Sequence, residues 1–174
     1  MTSERMESVR IRKASPGDAA LIEDLLQRAY PALMSDAYSD EVLSAALPYM
    51  TRVNPELLKS GTYYVAEDSE RILGCGGWTL ERPGMKDVAP DLAHLRHFVT
   101  DPAFTRKGVG GAIFGECAGK ASKAGAKRFQ VYSSLNAVSF YESLGLIRIK
   151  QIDLPMSPAV SFPVMLMEGP TKVG

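Results

Sequence analysis

The sequence predicts an α/β (α+β) domain, a mixed β-sheet covered by helices. Two patterns point there. Apolar residues recur at helical spacing near positions 21–29 and 113–121, and the period falls to two between 62 and 78. The segments also interleave: one strand, then helices, three strands, a helix, a strand, a helix and two strands. At 174 residues the chain is long enough for one domain with a substantial core and short for two, so residues 1–174 are read as a single domain.

In chain order, Val9-Arg10-Ile11-Arg12 alternates as a half-buried strand does. Ser15, Pro16 and Asp18 supply an N-cap, a first-turn proline and the reciprocal box position of a helix start. Leu21, Ile22, Leu25, Leu26 and Ala29 then form one apolar stripe. A second helix is expected over 39–47, ended near Pro48, and a short third one from Asn54-Pro55. Residues 63–67 and 71–78 read as a hairpin around a polar turn. The Pro- and Gly-containing 81–90 segment reads as a loop, and 94–100 as the next strand. A helix over 109–124 buries Ile113, Phe114, Cys117, Ala118 and Ala121 and is stopped by Gly125. A strand at 129–132, a short helix at 137–144 and strands near 147–153 and 161–167 complete the chain, the last two separated by a Pro155–Pro158 loop.

Composition narrows the class. Twenty basic residues balance twenty acidic ones, which gives no reason to expect nucleic acid or an anionic membrane as partner. Apolar runs are far short of a spanning helix, and Met1-Thr2-Ser3-Glu4-Arg5 lacks the apolar segment of a signal peptide. Cys75 and Cys117 are 42 positions apart in no C-x-x-C pattern, so a reducing cytoplasm is the expected location. Cys75 reads as a small buried residue and Cys117 as core. Exposed edge strands near the C-terminus make a homodimer plausible.

The stretch with chemical content runs from Val99 to Phe114. Gly108, Gly110 and Gly111 leave backbone N–H groups unshielded, so a bulky anion can approach. The following helix adds unpaired N–H groups and the positive end of its dipole, and Arg106 and Lys107 add full charge. A phosphate-bearing ligand fits this pattern. The loop is no Walker motif, and it lacks the G-x-G-x-x-G and distant acidic residue of a dinucleotide fold.

Thr105-Arg106-Lys107-Gly108-Val109-Gly110, following Thr100-Asp101-Pro102, resembles the acyl-CoA loop of the GCN5-related N-acetyltransferase family, Q/R-x-x-G-x-G/A, with Thr105 in place of Gln or Arg. The segment from Asn136 through Phe140-Tyr141 to Gly145 is similar to that family's second motif, with Ser139 for a small Ala and Leu146 for an aromatic. The resemblance implies the acyl-CoA N-acyltransferase fold: a mixed, mostly antiparallel sheet of about six or seven strands, splayed between the fourth and fifth. It implies acetyl-CoA as co-substrate, an amine acceptor and no metal, with the pyrophosphate on the amides of Arg106, Lys107, Gly108, Val109, Gly110 and Gly111. The pantetheine arm would pair with backbone at Phe98, Val99 and Thr100. Asn136 would either cap its helix or touch that arm.

By the same resemblance the amine attacks the thioester directly, a backbone N–H of the fourth strand receives the oxyanion, and Tyr141 is the acid that protonates the leaving thiolate. A phenol of pKa about 10 can donate to a thiolate of about 8.5; the alternative is that Tyr141 only packs. His94 falls where many relatives carry a Glu base, and His97 is a second candidate on the opposite face. Strand alternation would put His94 with Arg96, Phe98 and Thr100, and the two histidines make a poor metal pair. Tyr30 and Trp78 would line the acceptor pocket. Gly74, Gly76 and Gly77 point to a bulge beside the site. The expected acceptor is a small molecule, with a protein or peptide, or a non-catalytic acyl-CoA sensor, as alternatives; the 155–163 loop is long enough to close over an acceptor.

Overall fold

A computed structural model describes residues 8–172; the 1–5 segment discussed above lies outside them. Seven strands form one sheet: β1 (Arg10–Lys13), β2 (Tyr63–Glu67), β3 (Ile72–Thr79), β4 (Leu92–Thr100), β5 (Arg128–Ser134), β6 (Ile147–Ser157) and β7 (Val160–Pro170). Their spatial order is β1-β2-β3-β4-β5-β7-β6. All neighbours are antiparallel except β4 and β5. That parallel pair is joined only at Leu92–Arg128, Ala93–Phe129 and His94–Gln130, after which the two strands part. The expected splay is therefore present.

Helices cover both faces. On one lie α1 (Ala19–Met34), α2 (Asp40–Met50) and α3 (Pro55–Lys59); on the other, α4 (Val109–Lys123) and α5 (Val138–Ser143). The α1 stripe buries Ile22, Leu25, Leu26 and Ala29 against Val65, Ile72, Cys75 and Val99. The α4 stripe buries Ile113, Phe114, Cys117 and Ala121 against Leu73, Trp78, Leu95 and Phe129. The box at Ser15 forms as expected, with the Ser15 amide donating to Asp18 Oδ2 at 2.8 Å, and opens a short 3-10 turn, Pro16–Asp18, ahead of α1. Asn54 caps α3 by accepting from the Glu56 amide at 2.9 Å.

Two boundaries differ from expectation. Pro48 lies inside α2, which runs two residues further and gives up the hydrogen bond to the Ser44 carbonyl that the missing N–H would have made. The expected 155–163 loop is strand. Pro155 is on the edge strand β6 beside an irregularity in the β6–β7 register, and Pro163 precedes the β5–β7 ladder, which begins at Val164. Neither proline needs the N–H it lacks.

One buried ion pair ties the end of β4 to α1. The Asp101 carboxylate accepts from Arg28 Nη1 at 2.6 Å and from the Ala103 amide at 2.9 Å, and the Asp101 amide donates to the Leu73 carbonyl. Burial alone would raise the Asp101 pKa; Arg28 and the capped amide outweigh it and hold the carboxyl below its ordinary 3.8. A group with a depressed folded pKa stabilises fully above its unfolded pKa and loses that contribution as pH falls through the folded value. Asp101→Ala should therefore lose about 2 kcal/mol at pH 7 by denaturant unfolding, since Arg28 stays partly solvated. The wild-type advantage over Asp101→Ala should shrink below about pH 4. A variant as stable as wild type at pH 7 contradicts the anchoring role.

Candidate active site

The splay starts at a bulge in β4. Gly77 pairs with Arg96 and Cys75 with Val99, so β4 carries one residue more than β3 across this interval. His97 occupies the bulge with φ +47, a left-handed conformation costly for a side-chain-bearing residue. Its carbonyl is held by the buried Tyr63 hydroxyl, which donates at 3.0 Å. The glycines opposite make the geometry possible. A Cβ on Gly76 would come within 2.7 Å of the Phe98 ring, and one on Gly77 within 2.4 Å of the Thr62 carbonyl. The bulge expected from these glycines is present, and its consequence is a change of face. Ala93 and Leu95 pack towards α4, whereas beyond the bulge Phe98 does so and Val99 turns towards α1.

That flip corrects the expectation for His94. It does not share a face with Phe98; it sits where β4 and β5 are still paired, is buried, and lines neither cavity described below. Burial first, then Arg96 and Arg82, lower its pKa. His94 is therefore in no position to take a proton from a ligand in the cleft. His97 is in such a position. It stands in the cleft wall, enclosed by protein yet open to solvent on one side, and desolvation with the neighbouring Arg96 cation pushes its pKa down to about 4.

Two cavities meet between the parted strands. The larger, about 740 Å³, runs from Phe98, Val99 and Thr100 past Asn136 to Arg106, Gly108, Val109, Gly110 and Gly111. Arg106 (φ +62) and Gly108 (φ +87) both adopt left-handed conformations, which turn successive amides toward one concavity. Gly108 is the N-cap of α4 and offers no side-chain cap, so the amides of Val109, Gly110 and Gly111 lack intrahelical acceptors. Lys107 does not line this cavity and adds only nearby charge. Gly110 has a packing role as well: a Cβ there would come within 2.8 Å of the Phe140 ring. Asn136 caps nothing. It lies within a 3-10 turn, Leu135–Ala137, and its Oδ1 is buried without a hydrogen-bond partner. Of the two readings of Asn136, contact with a ligand remains.

The smaller cavity, about 220 Å³, lies on the other side of the splay under the β6–β7 hairpin, which contributes Leu154, Met156, Phe162 and Val164. Tyr38 holds that wall in place. Its hydroxyl donates to the Pro163 carbonyl at 2.6 Å and accepts from the Leu135 amide at 2.8 Å, and its ring stacks on Phe162. Tyr30, Phe98 and Tyr141 line both cavities. Tyr141 packs edge-on to Phe98 and Phe140, its hydroxyl has no partner among the described residues, and burial keeps the phenol protonated far above its ordinary pKa. Tyr30 stands where expected. Trp78 does not: it is buried beneath α4 with Tyr64 and Leu95 and lines neither cavity, because its β3 position faces the α4 side. Cys75 is inert, its thiol pushed up to about 12 by burial. Sequence reasoning missed Tyr63, Tyr38 and Arg96. A break of alternation at Arg96-His97-Phe98 was the available signal for the bulge.

A family model described as an acetyltransferase (GNAT) domain matches residues 34–153. No curated protein sequence matches this one. Among solved structures, a PaiA N-acetyltransferase of Thermoplasma acidophilum in complex with coenzyme A has a TM-score of 0.68 at 18% identity, covering 94% of this chain and 99% of that one. A GCN5-related N-acetyltransferase of Rhodopseudomonas palustris reaches a TM-score of 0.74 at 18% identity, covering 94% and 96%. The ribosomal-protein-S18-alanine N-acetyltransferase of Escherichia coli gives 0.61 at 16% identity, covering 95% and 96%.

Gly76→Ala tests the bulge directly. The added methyl must displace the Phe98 ring, so denaturant unfolding should show a loss of about 1–3 kcal/mol, with Phe98 shifted in a structure of the variant. A neutral or stabilised variant contradicts this packing.

Proposed function

Because the chain belongs to the GNAT acetyltransferase family, we propose that it transfers an acetyl group from acetyl-CoA directly to the primary amine of a small molecule. Tyr141 carries the reading: an unpartnered phenol at the one place where a long cleft ending on glycine amides meets a small apolar cavity. The residues present suit the co-substrate. Unpaired amides at the start of α4 and the Arg106 guanidinium match a pyrophosphate. The orphaned Asn136 Oδ1 matches an amide donor of the pantetheine arm. The thioester supplies the activated acetyl group.

The residues of this chain then divide the work. Phe98, Tyr30 and the hairpin exclude water and hold the amine against the acyl carbon. Backbone amides of β4 just past the bulge, released from β5, are free to donate to the developing oxyanion. As the C–S bond breaks, its electron pair goes to sulfur, and the Tyr141 hydroxyl is placed to protonate it. No protein carboxylate or ammonium lines the smaller cavity, so the acceptor's own proton leaves by water past His97. Closure of that cavity by a hairpin rather than a loop favours a small acceptor over a protein chain.

Thiol release from acetyl-CoA against an amine panel tests the reading. Tyr141→Phe should lower kcat at least about 100-fold while CoA binding by calorimetry stays within about 2-fold. Full activity in the variant removes Tyr141 from the acid role, and CoA binding with no turnover of any amine favours a sensor.

The pH profile is a second check. Desolvation lowers both imidazole pKa values, His97 to about 4. From pH 6 to 8, kcat/KM should rise about tenfold per unit, following deprotonation of the acceptor amine. A plateau above pH 6.5 would contradict this assignment.

A further inference from the structure

Arg96 is the one charged side chain among those lining the smaller cavity. It is half-buried in β4, immediately before the bulge, and makes no ion pair among the described residues. Its one side-chain hydrogen bond among the described residues is Nη1 donating to Thr79 Oγ1 at 3.2 Å. Thr79 is itself committed: its hydroxyl donates to the Glu81 carbonyl at 2.8 Å, which leaves an oxygen lone pair to fix the guanidinium. A guanidinium has five N–H donors in a planar fork, and here only one is used by the protein. Burial also lowers the Arg96 pKa, only partly offset by Tyr63 and Glu81, which marks a cation that has lost part of its solvation. His97 beside it is neutral near pH 7 and offers no counter-charge.

The rest of the cavity is mostly apolar: Met34, Val131, Leu154, Met156 and Phe162 line it, with uncharged polar groups from Tyr30, Tyr132, Ser134, Tyr141 and His97. A cationic polyamine or aminoglycoside would find no carboxylate there and would meet Arg96 as a like charge. At about 220 Å³ the space equals about seven waters of liquid volume, room for roughly seven to ten non-hydrogen atoms.

We propose that the acceptor is an apolar amino acid, a small amine bearing a carboxylate that Arg96 binds as a bidentate pair while the hydrocarbon part fills the cavity beneath the β6–β7 hairpin. This deepens the acetyltransfer reading of the same site and rests on it for the fate of the amine. Guanidinium and carboxylate match in planar geometry, and a charge-assisted pair in a partly dry pocket contributes affinity as well as orientation. The pair also selects: an amine lacking the carboxylate leaves the cation desolvated and unpaired.

Two measurements separate this claim from the reaction it serves. In the first, 4-methylpentanoate and 3-phenylpropanoate, which have no amine, are titrated into the CoA-saturated protein. Wild type should bind both acids and not their amides, and Arg96→Gln should weaken the acids about 10- to 100-fold, with Arg96→Lys between. In the second, leucine, methionine and 5-aminopentanoate compete as acetyl acceptors with isoamylamine and phenethylamine, and Leu-Gly tests a peptide source of the carboxylate. The amino acids should lead in kcat/KM at least about tenfold, and Arg96→Gln should abolish that lead. Acid binding without turnover of any amine upholds the carboxylate site and sinks acetyl transfer. Turnover of simple amines at or above the amino acids, or acids bound no better than their amides by wild type, overturns the proposal. Equal losses on acids and amines in Arg96→Gln would reduce Arg96 to a structural residue, which thermal unfolding of the variant would show as a matching drop in stability.

Discussion

The architecture depends on one extra residue in β4. By placing His97 at positive φ between pairs that join Arg96 to Gly77 and Val99 to Cys75, the strand turns its far half away from β5. Without that turn β4 and β5 would continue their parallel ladder, and neither cavity would exist. The strained backbone is held from outside: Tyr63 ties the His97 carbonyl, and bare glycines on β3 admit Phe98 and the β2 backbone. The cost of a left-handed His and several strand glycines is offset by two complete cores, one on each face of the sheet.

The opened gap holds polar groups that the folded chain leaves unused. The Asn136 carbonyl, the Tyr141 hydroxyl, the first amides of α4 and most of the Arg96 donors have no hydrogen-bond partner among the described residues, and all four groups belong to residues lining the cavities. Groups of this kind lower stability in isolation, and natural proteins keep few of them. The charge distribution is uneven. Helix amides and Arg106 suit the large cleft to an anion, whereas the small cavity is mostly apolar, with Arg96 its one charged lining residue.

Much of this was legible in the sequence. The apolar stripes of α1 and α4, the Ser15 box, the Asn54 cap and the glycine loop each rest on local chemistry, and the structure has them, except that Leu21 of the α1 stripe is exposed. The loop and Tyr141 stood out because their residues are contiguous or carry a motif, and both line the larger cavity. What failed was registry. Strict alternation put His94 in the cleft, and a bulge three residues later reverses the face of everything beyond it. Trp78 was misplaced for the same reason, since the face of a strand residue depends on pairing partners far away in sequence. The β6–β7 hairpin was shortened because prolines were read as breakers, although an edge position and a ladder boundary tolerate them. Arg96 passed unnoticed because its significance lies in the absence of a partner, a property only tertiary structure displays.

Hydrogen exchange on the intact protein with and without CoA tests the central claim most directly. If the splayed gap is the CoA site, amides of residues 98–100 on β4 and 106–111 at the start of α4 should slow together on binding, while β1, β2 and the β6–β7 hairpin stay unchanged. Protection confined to another surface, or CoA binding that leaves the 106–111 amides exchanging freely, would contradict the account.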